Sequence, residues 1–164
     1  MASLFKKLSG SWKSSFGDLE ASKHKDLLEL LQEDYLKKQT QAQRLEKHAR
    51  ELHYAHHQKK LLEIAGTEKK HAETLKNLIL KLGGTPTEVK IQAPADESKT
   101  TFQKLIEDLE AENENPREVL KTIFEFENKG FPEIISELEK IRREDARLRD
   151  ELLDILQTAN PYSM

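Results

Sequence analysis

The sequence predicts an all-α protein: a four-helix bundle with a long crossover between its second and third helices and an amphipathic arm at its start. Three observations carry that prediction. Charged residues make up 35% of the 164 and hydrophobic ones 36%, with only 6 Gly and 5 Pro to interrupt helices. Apolar residues recur at helical spacing through four long stretches. Between the second and third of these lie residues 83–98, GGTPTEVKIQAPADES, far longer than an ordinary bundle loop.

Composition also narrows the function. A net charge of -3 gives no general reason to expect nucleic-acid binding. The absence of cysteine excludes thiolate zinc sites, iron–sulfur clusters and disulfides. No apolar stretch is long enough to span a bilayer and no signal-peptide core stands near the start, so a cytoplasmic protein is expected.

Residues 1–20 form the arm. Leu4, Phe5, Leu8, Trp12, Phe16 and Leu19 recur at helical spacing, and Lys6, Lys7 and Lys13 sit off that stripe. Such a segment suits an interfacial helix on anionic lipid. It equally suits an arm packed on its own bundle, on a neighbouring subunit or on a protein partner. Its serines and glycines weaken it as an isolated helix and favour packing on protein.

The bundle is expected over residues 21–159, followed by a frayed tail, 160–164. The first predicted helix runs from about Ser22 to Leu52. Its seam is Leu27, Leu31, Asp34, Lys38, Gln41, Leu45, His48 and Leu52. A turn is placed at His53–His57, and the second helix runs to Leu82, where Gly83 and Gly84 supply a stop. Pro86 and Pro94 hold the next segment extended, with Val89 and Ile91 free to pin it to the surface. Its residues reach roughly 50 Å when extended, whereas a thirty-residue helix is about 45 Å long. The connection can therefore cross the whole bundle and leave the second and third helices parallel. The third helix starts near Lys99, with Phe102, Leu105, Ile106, Leu109, Leu120, Ile123 and Phe126 facing inward. Asn115-Pro116-Arg117-Glu118 resembles a fresh helix start, so a kink or break is expected there. Asn128–Pro132 turns the chain into the fourth helix, whose seam is Leu138, Ile141, Leu148, Leu152 and Ile155.

Glu68 and His71 stand three apart in the second helix, on the face that Leu61, Ile64, Ala65, Ala72 and Leu75 turn inward. A carboxylate and an imidazole are costly to bury unless paired, hydrogen-bonded or bound to a metal. Residues 54–86 read Y-x6-L-x2-I-A-x2-E-x2-H-A-x2-L-x3-I-x2-L-G-G-x-P. This pattern resembles the ferritin-like superfamily, in particular bacterioferritin- and rubrerythrin-type domains, and the coarser four-helix pattern extends the resemblance over about 22–157. It implies two halves, each giving a carboxylate from its first helix and Glu-x-x-His from its second, with six ligands around two metals.

Carried onto this chain, the resemblance implies Asp34, Glu68 and His71 as metal ligands from the first half. In the second half Glu112 is the best carboxylate on the third helix, with Glu110 the alternative. On the fourth helix either Glu144 is the inward carboxylate, with Arg147 at the histidine position, or Asp145 is, with Leu148 there. Neither Arg147 nor Leu148 is a metal ligand. The implied metal is iron, alternatively manganese, at a single altered site or at none. Ferroxidase or peroxide-reducing chemistry follows if metals bind and cycle. The competing reading is a non-catalytic interaction protein, its centre closed by Arg147 neutralising two or three of Asp34, Glu68, Glu112 and Glu144, and docked through residues 1–20 to a membrane surface or partner. Helix interfaces suit a homodimer or higher homo-oligomer. His48, His53, His56 and His57 read as solvated histidines near a turn, Glu125 and Glu127 as solvent-facing, and Tyr35 as pointing off the seam.

Overall fold

The computed structural model describes residues 2–87 and 98–159, with side chains from residue 21 onward. It contains four helices: α1 (Ala2–Glu51), α2 (Ala55–Lys81), α3 (Thr101–Phe126) and α4 (Pro132–Thr158). α1 is one helix of 50 residues, so the expected arm joins the first bundle helix without a break. The side chains of its Leu4-to-Leu19 stripe, the crossover residues Val89, Ile91 and Pro94, and the tail 160–164 lie outside the described residues.

The local signals explain most ends. The α1–α2 turn is tighter than the expected 53–57: only Leu52, His53 and Tyr54 intervene, and Gln58 donates to the Leu52 carbonyl at 2.5 Å. α2 stops in a Schellman arrangement. Gly83 N–H donates to Leu80 and Gly84 N–H to Ile79, each at 2.9 Å, while Gly83 takes φ +76°. A Cβ on Gly84 would stand 2.6 Å from Leu28 Cδ2, so the α2 terminus is seated directly on α1. Thr100 and Gln103 cap α3 reciprocally. Gly130, at φ +95°, and Pro132 at the first turn of α4 make the last corner.

In α3 the break that was one alternative at Pro116 does not occur, and one position expected inward is exposed. The helix continues through Pro116 to Phe126. Val119, Thr122 and Ile123, which follow the proline, are buried, and their packing holds the chain helical where the Asn-Pro signal alone would stop it. Ile106 is exposed; the inward positions on that stretch belong to Leu105, Asp108 and Glu112.

Cross-helix contacts set the topology. Along α1, Lys37 meets Glu118, Arg44 meets Asp108, and Glu51 meets Lys104, so α1 and α3 are antiparallel. His57 meets Thr158 and His71 meets Glu144, so α2 and α4 are antiparallel too. The short turn makes α1 and α2 antiparallel. α2 and α3 are therefore parallel, as the crossover length predicts. α1 packs on α2 and α3, and α4 on the same two, leaving α1 and α4 on one diagonal.

The core is divided along the bundle axis. One apolar cluster includes Leu27, Leu31, Leu75, Ile123, Phe126 and Leu138. The other includes Leu45, Leu61, Ile64, Leu105, Leu152 and Ile155. Between them lies a layer of buried polar groups from all four helices: Lys38, Gln41, Glu68, His71, Asp108, Glu112 and Asp145.

Gly83 offers a test of the α2 terminus. A left-handed residue costs an L-amino acid about 1–2 kcal/mol, and a Cβ there meets no atom within 4 Å. Gly83→Ala should therefore lower stability by about 1 kcal/mol and the melting temperature by about 3 °C for a domain of this size, measured by thermal circular dichroism. An unchanged melting temperature would show that the φ constraint is not borne by this residue.

Candidate metal centre

The centre of the polar layer is an ion pair that crosses the diagonal. Lys38 Nζ, on α1, lies 2.6 Å from Asp145 Oδ1 on α4 and 3.1 Å from Glu68 Oε1 on α2. Lys38 is 2% exposed, and both carboxylates are fully buried. Burial by itself would lower the lysine pKa. The charges of Glu68, Asp145 and Glu112 outweigh it and push Lys38 up to about 12. The ammonium is thus held charged where one carboxylate alone would not keep it so.

His71 lies beside this pair. Its Nδ1 is 3.0 Å from Asp145 Oδ1 and 3.9 Å from Glu68 Oε1. Its Nε2 is 2.7 Å from Glu144 Oε2 on the outer side. Burial acts to lower the imidazole pKa, but Asp145, with help from Glu68, reverses that and holds it above its usual range. Asp145 goes the other way: despite burial, His71 and Lys38 hold its carboxyl below the usual range. Burial raises Glu68. Glu112, on α3, is fully buried with neither carboxylate oxygen hydrogen-bonded, and burial followed by the charge of Glu68 pushes it up to about 8.

The residues expected from the sequence divide as follows. Glu68 and His71 meet at the centre, and Glu112, not the exposed Glu110, faces it. On α4 the inward pair is Asp145 and Leu148. Glu144 is instead half-exposed and reaches only the outer nitrogen of His71. Arg147 is 63% exposed and pairs with Glu151, so it does not close the centre. Asp34 sits one helical turn before the centre, with Oδ2 buried and unpartnered. Burial, aided by Glu118 and opposed by Lys37 and Lys38, pushes Asp34 up to about 6. The α1 position that faces Glu68 and Asp145 belongs to Lys38. Asp34 lies on the same seam but four residues early, which displaces it along the axis by about 6 Å.

A second polar group lies next to the centre. His48 Nδ1 is 2.5 Å from Asp108 Oδ2, Arg44 is 3.1 Å from Asp108 Oδ1, and Gln41 donates to the Asp108 backbone carbonyl at 3.3 Å. These contacts lock α1 to α3. Two of the four histidines expected in solvent are therefore buried: His48 in this cluster and His57 against Thr158 Oγ1. Tyr35 is buried as well, its hydroxyl accepting from Gln39 at 2.7 Å.

The architecture is similar to a crystal structure described as ferritin like, diiron-carboxylate proteins from Bacillus anthracis str. Ames. The match has a TM-score of 0.67 at 23% identity and covers 81% of this chain and 96% of that one. The fold is ferritin-like. No family model matches the sequence, and no curated protein does. Among the described residues, one group in this ferritin-like core has the makings of a metal site: Glu68, His71 and Asp145, each offering a ligand atom within 4.8 Å of the others.

Two outcomes test this electrostatic layout. Asp145→Asn leaves Lys38 and His71 without their shared anion, and breaking such a buried pair costs about 3–5 kcal/mol; urea denaturation at neutral pH measures it. Glu112 has a folded pKa above its unfolded one, so it binds more protons when folded. Its contribution is present below about pH 4.5 and lost as pH rises through about 8. Across that window Glu112→Gln should flatten the fall in stability, gaining on the parent protein by up to a few kcal/mol at pH 8. Parallel pH profiles for the two proteins would refute the assignment.

Proposed function

We propose that this ferritin-like protein binds one divalent cation per chain, iron or alternatively manganese, through Glu68, His71 and Asp145. The observation that carries this reading is the set of three buried ligand atoms within 4.8 Å of one another. The residues fit a metal on their own chemistry. Glu68 Oε2 and Asp145 Oδ2 are buried without hydrogen bonds, and His71 Nδ1 stands beside them, 3.0 Å from Asp145 Oδ1. Unsatisfied buried carboxylate oxygens are costly, and a cation answers that need. Two carboxylates and one imidazole suit hard or borderline divalent ions. Glu144 can hold the proton of His71 on Nε2, which leaves Nδ1 as the ligand nitrogen.

The rest of the layer argues for one metal and against two. Leu148 stands one helical turn after Asp145, where the resemblance calls for a second imidazole, and Lys38 takes the inward place on α1. A bound iron or manganese would supply redox chemistry of the ferroxidase or peroxide-reducing kind. Glu68 and Asp145 would anchor it, His71 would complete the set, and the flanking apolar clusters would exclude water.

One observation favours a second reading. Lys38 and His71 already compensate Glu68 and Asp145, so the bundle can serve as a scaffold for protein contact without a metal. Metal analysis separates the two. Protein prepared without a histidine tag and dialysed against Fe(II) or Mn(II) without oxygen should retain no more than one ion per chain, and Glu68→Ala/His71→Ala should retain none. At a hundred times the dissociation constant, the ion should stabilise the protein by about 2.7 kcal/mol. Two ions per chain would overturn the single-site reading. None, with the double variant unchanged, would favour the scaffold.

A further inference from the structure

We infer that Lys38 is a built-in competitor for the metal: a divalent ion entering between Glu68 and Asp145 displaces its ammonium, which transfers to the buried carboxylate of Glu112. This rests on the metal-binding reading above.

The carboxylate oxygens nearest His71 are already in use. Asp145 Oδ1 and Glu68 Oε1, the atoms nearest His71 Nδ1, are also the two that Lys38 Nζ contacts. A metal bound to them would lie within a few ångströms of a like charge, and in a dry core that repulsion is strong. Both cations cannot share the pair.

The displaced ammonium needs a partner inside the protein, because an uncompensated buried charge is strongly destabilising. Glu112 is the vacant receiver. It is fully buried, both of its oxygens lack hydrogen bonds, and its charge acts on Lys38. A lysine head on a flexible four-carbon stem can move between acceptors without a backbone shift. Lys38 then keeps a carboxyl partner with or without the metal, and the bundle need not unfold to exchange it.

A double-mutant cycle tests the exchange, with Mn(II) titrated calorimetrically into the full untagged chain. Lys38→Met should bind at least tenfold more tightly than the parent. Glu112→Gln should weaken binding severalfold in the parent, where it removes the receiver, and have no effect in the Lys38→Met background. Should Lys38→Met fail to give a helical, cooperatively melting protein, Lys38→Gln carries the same comparison. Equal affinity with and without Lys38 overturns the competition but leaves the single-metal reading standing. An equal loss from Glu112→Gln in both backgrounds overturns the transfer and makes Glu112 a ligand. Binding by Lys38→Met alone overturns the metal reading of the parent protein while upholding Lys38 as the occupant. No binding by any variant overturns both.

Discussion

The Lys38 ammonium between Glu68 and Asp145 is the interaction on which the rest of the structure depends. α1 and α4 lie on a diagonal of the bundle and make no close backbone approach. Only a long side chain can join them, and Lys38 reaches Asp145 at 2.6 Å. Removing water from these charges is expensive, and the attraction between them in the core offsets that only when geometry and hydrogen bonding are good. Two carboxylates on one ammonium, with His71 against the same aspartate, come close to that condition. The oxygens left over on Glu68, Asp145 and Glu112 show that it is not fully met. That residue of unsatisfied polarity separates a site from a mere brace.

The polar layer also gives the fold an arrangement that hydrophobic burial alone would not dictate. The apolar clusters above and below it are built mainly from aliphatic side chains, which fill space but tolerate sliding. The layer ties specific pairs of helices: Lys38 joins α1 to α2 and α4, His71 joins α2 to α4, and the Asp108 cluster joins α1 to α3. Each helix is therefore fixed at one height relative to its neighbours.

Much of this was legible in the sequence. All eight seam positions read on the first helix, from Leu27 to Leu52, are buried. The parallel course of α2 and α3 followed from the length of one connection, and the Gly83-Gly84 stop from glycine's tolerance of positive φ. Glu68 and His71 announced themselves by spacing on an apolar face. What the sequence did not disclose is which polar residue meets which, because the axial offset between helices has no local signature. Asp34 and Lys38 share one seam, and a carboxylate is the residue type that suggests a ligand. A buried lysine is rare enough that Lys38 passed as a seam position without chemistry. The choice between Asp145 and Glu144 rested on a one-residue rotation about α4, which the flanking leucines favoured only slightly. Asp108 was missed for a related reason, and with it the role of His48: an aspartate looks solvated until its partner on another helix is known.

The one-crossover topology bears on how the chain assembles. α1 with α2 and α3 with α4 are two hairpins closed by short turns, each dominated by local contacts that form quickly. Lys38, Glu68 and His71 belong to the first, and Asp108, Glu112 and Asp145 to the second, with 107 residues between Lys38 and Asp145. During synthesis the first hairpin can form, with Lys38 against Glu68, before Asp145 exists. Docking of the halves is then also an act of neutralisation. A misregistered encounter, offset by one turn, would bury Asp145 away from Lys38 and His71 and be disfavoured against the aligned one. The charged layer serves the chain as a proofreading device, sorting the one productive docking from the many that the greasy surfaces alone would accept.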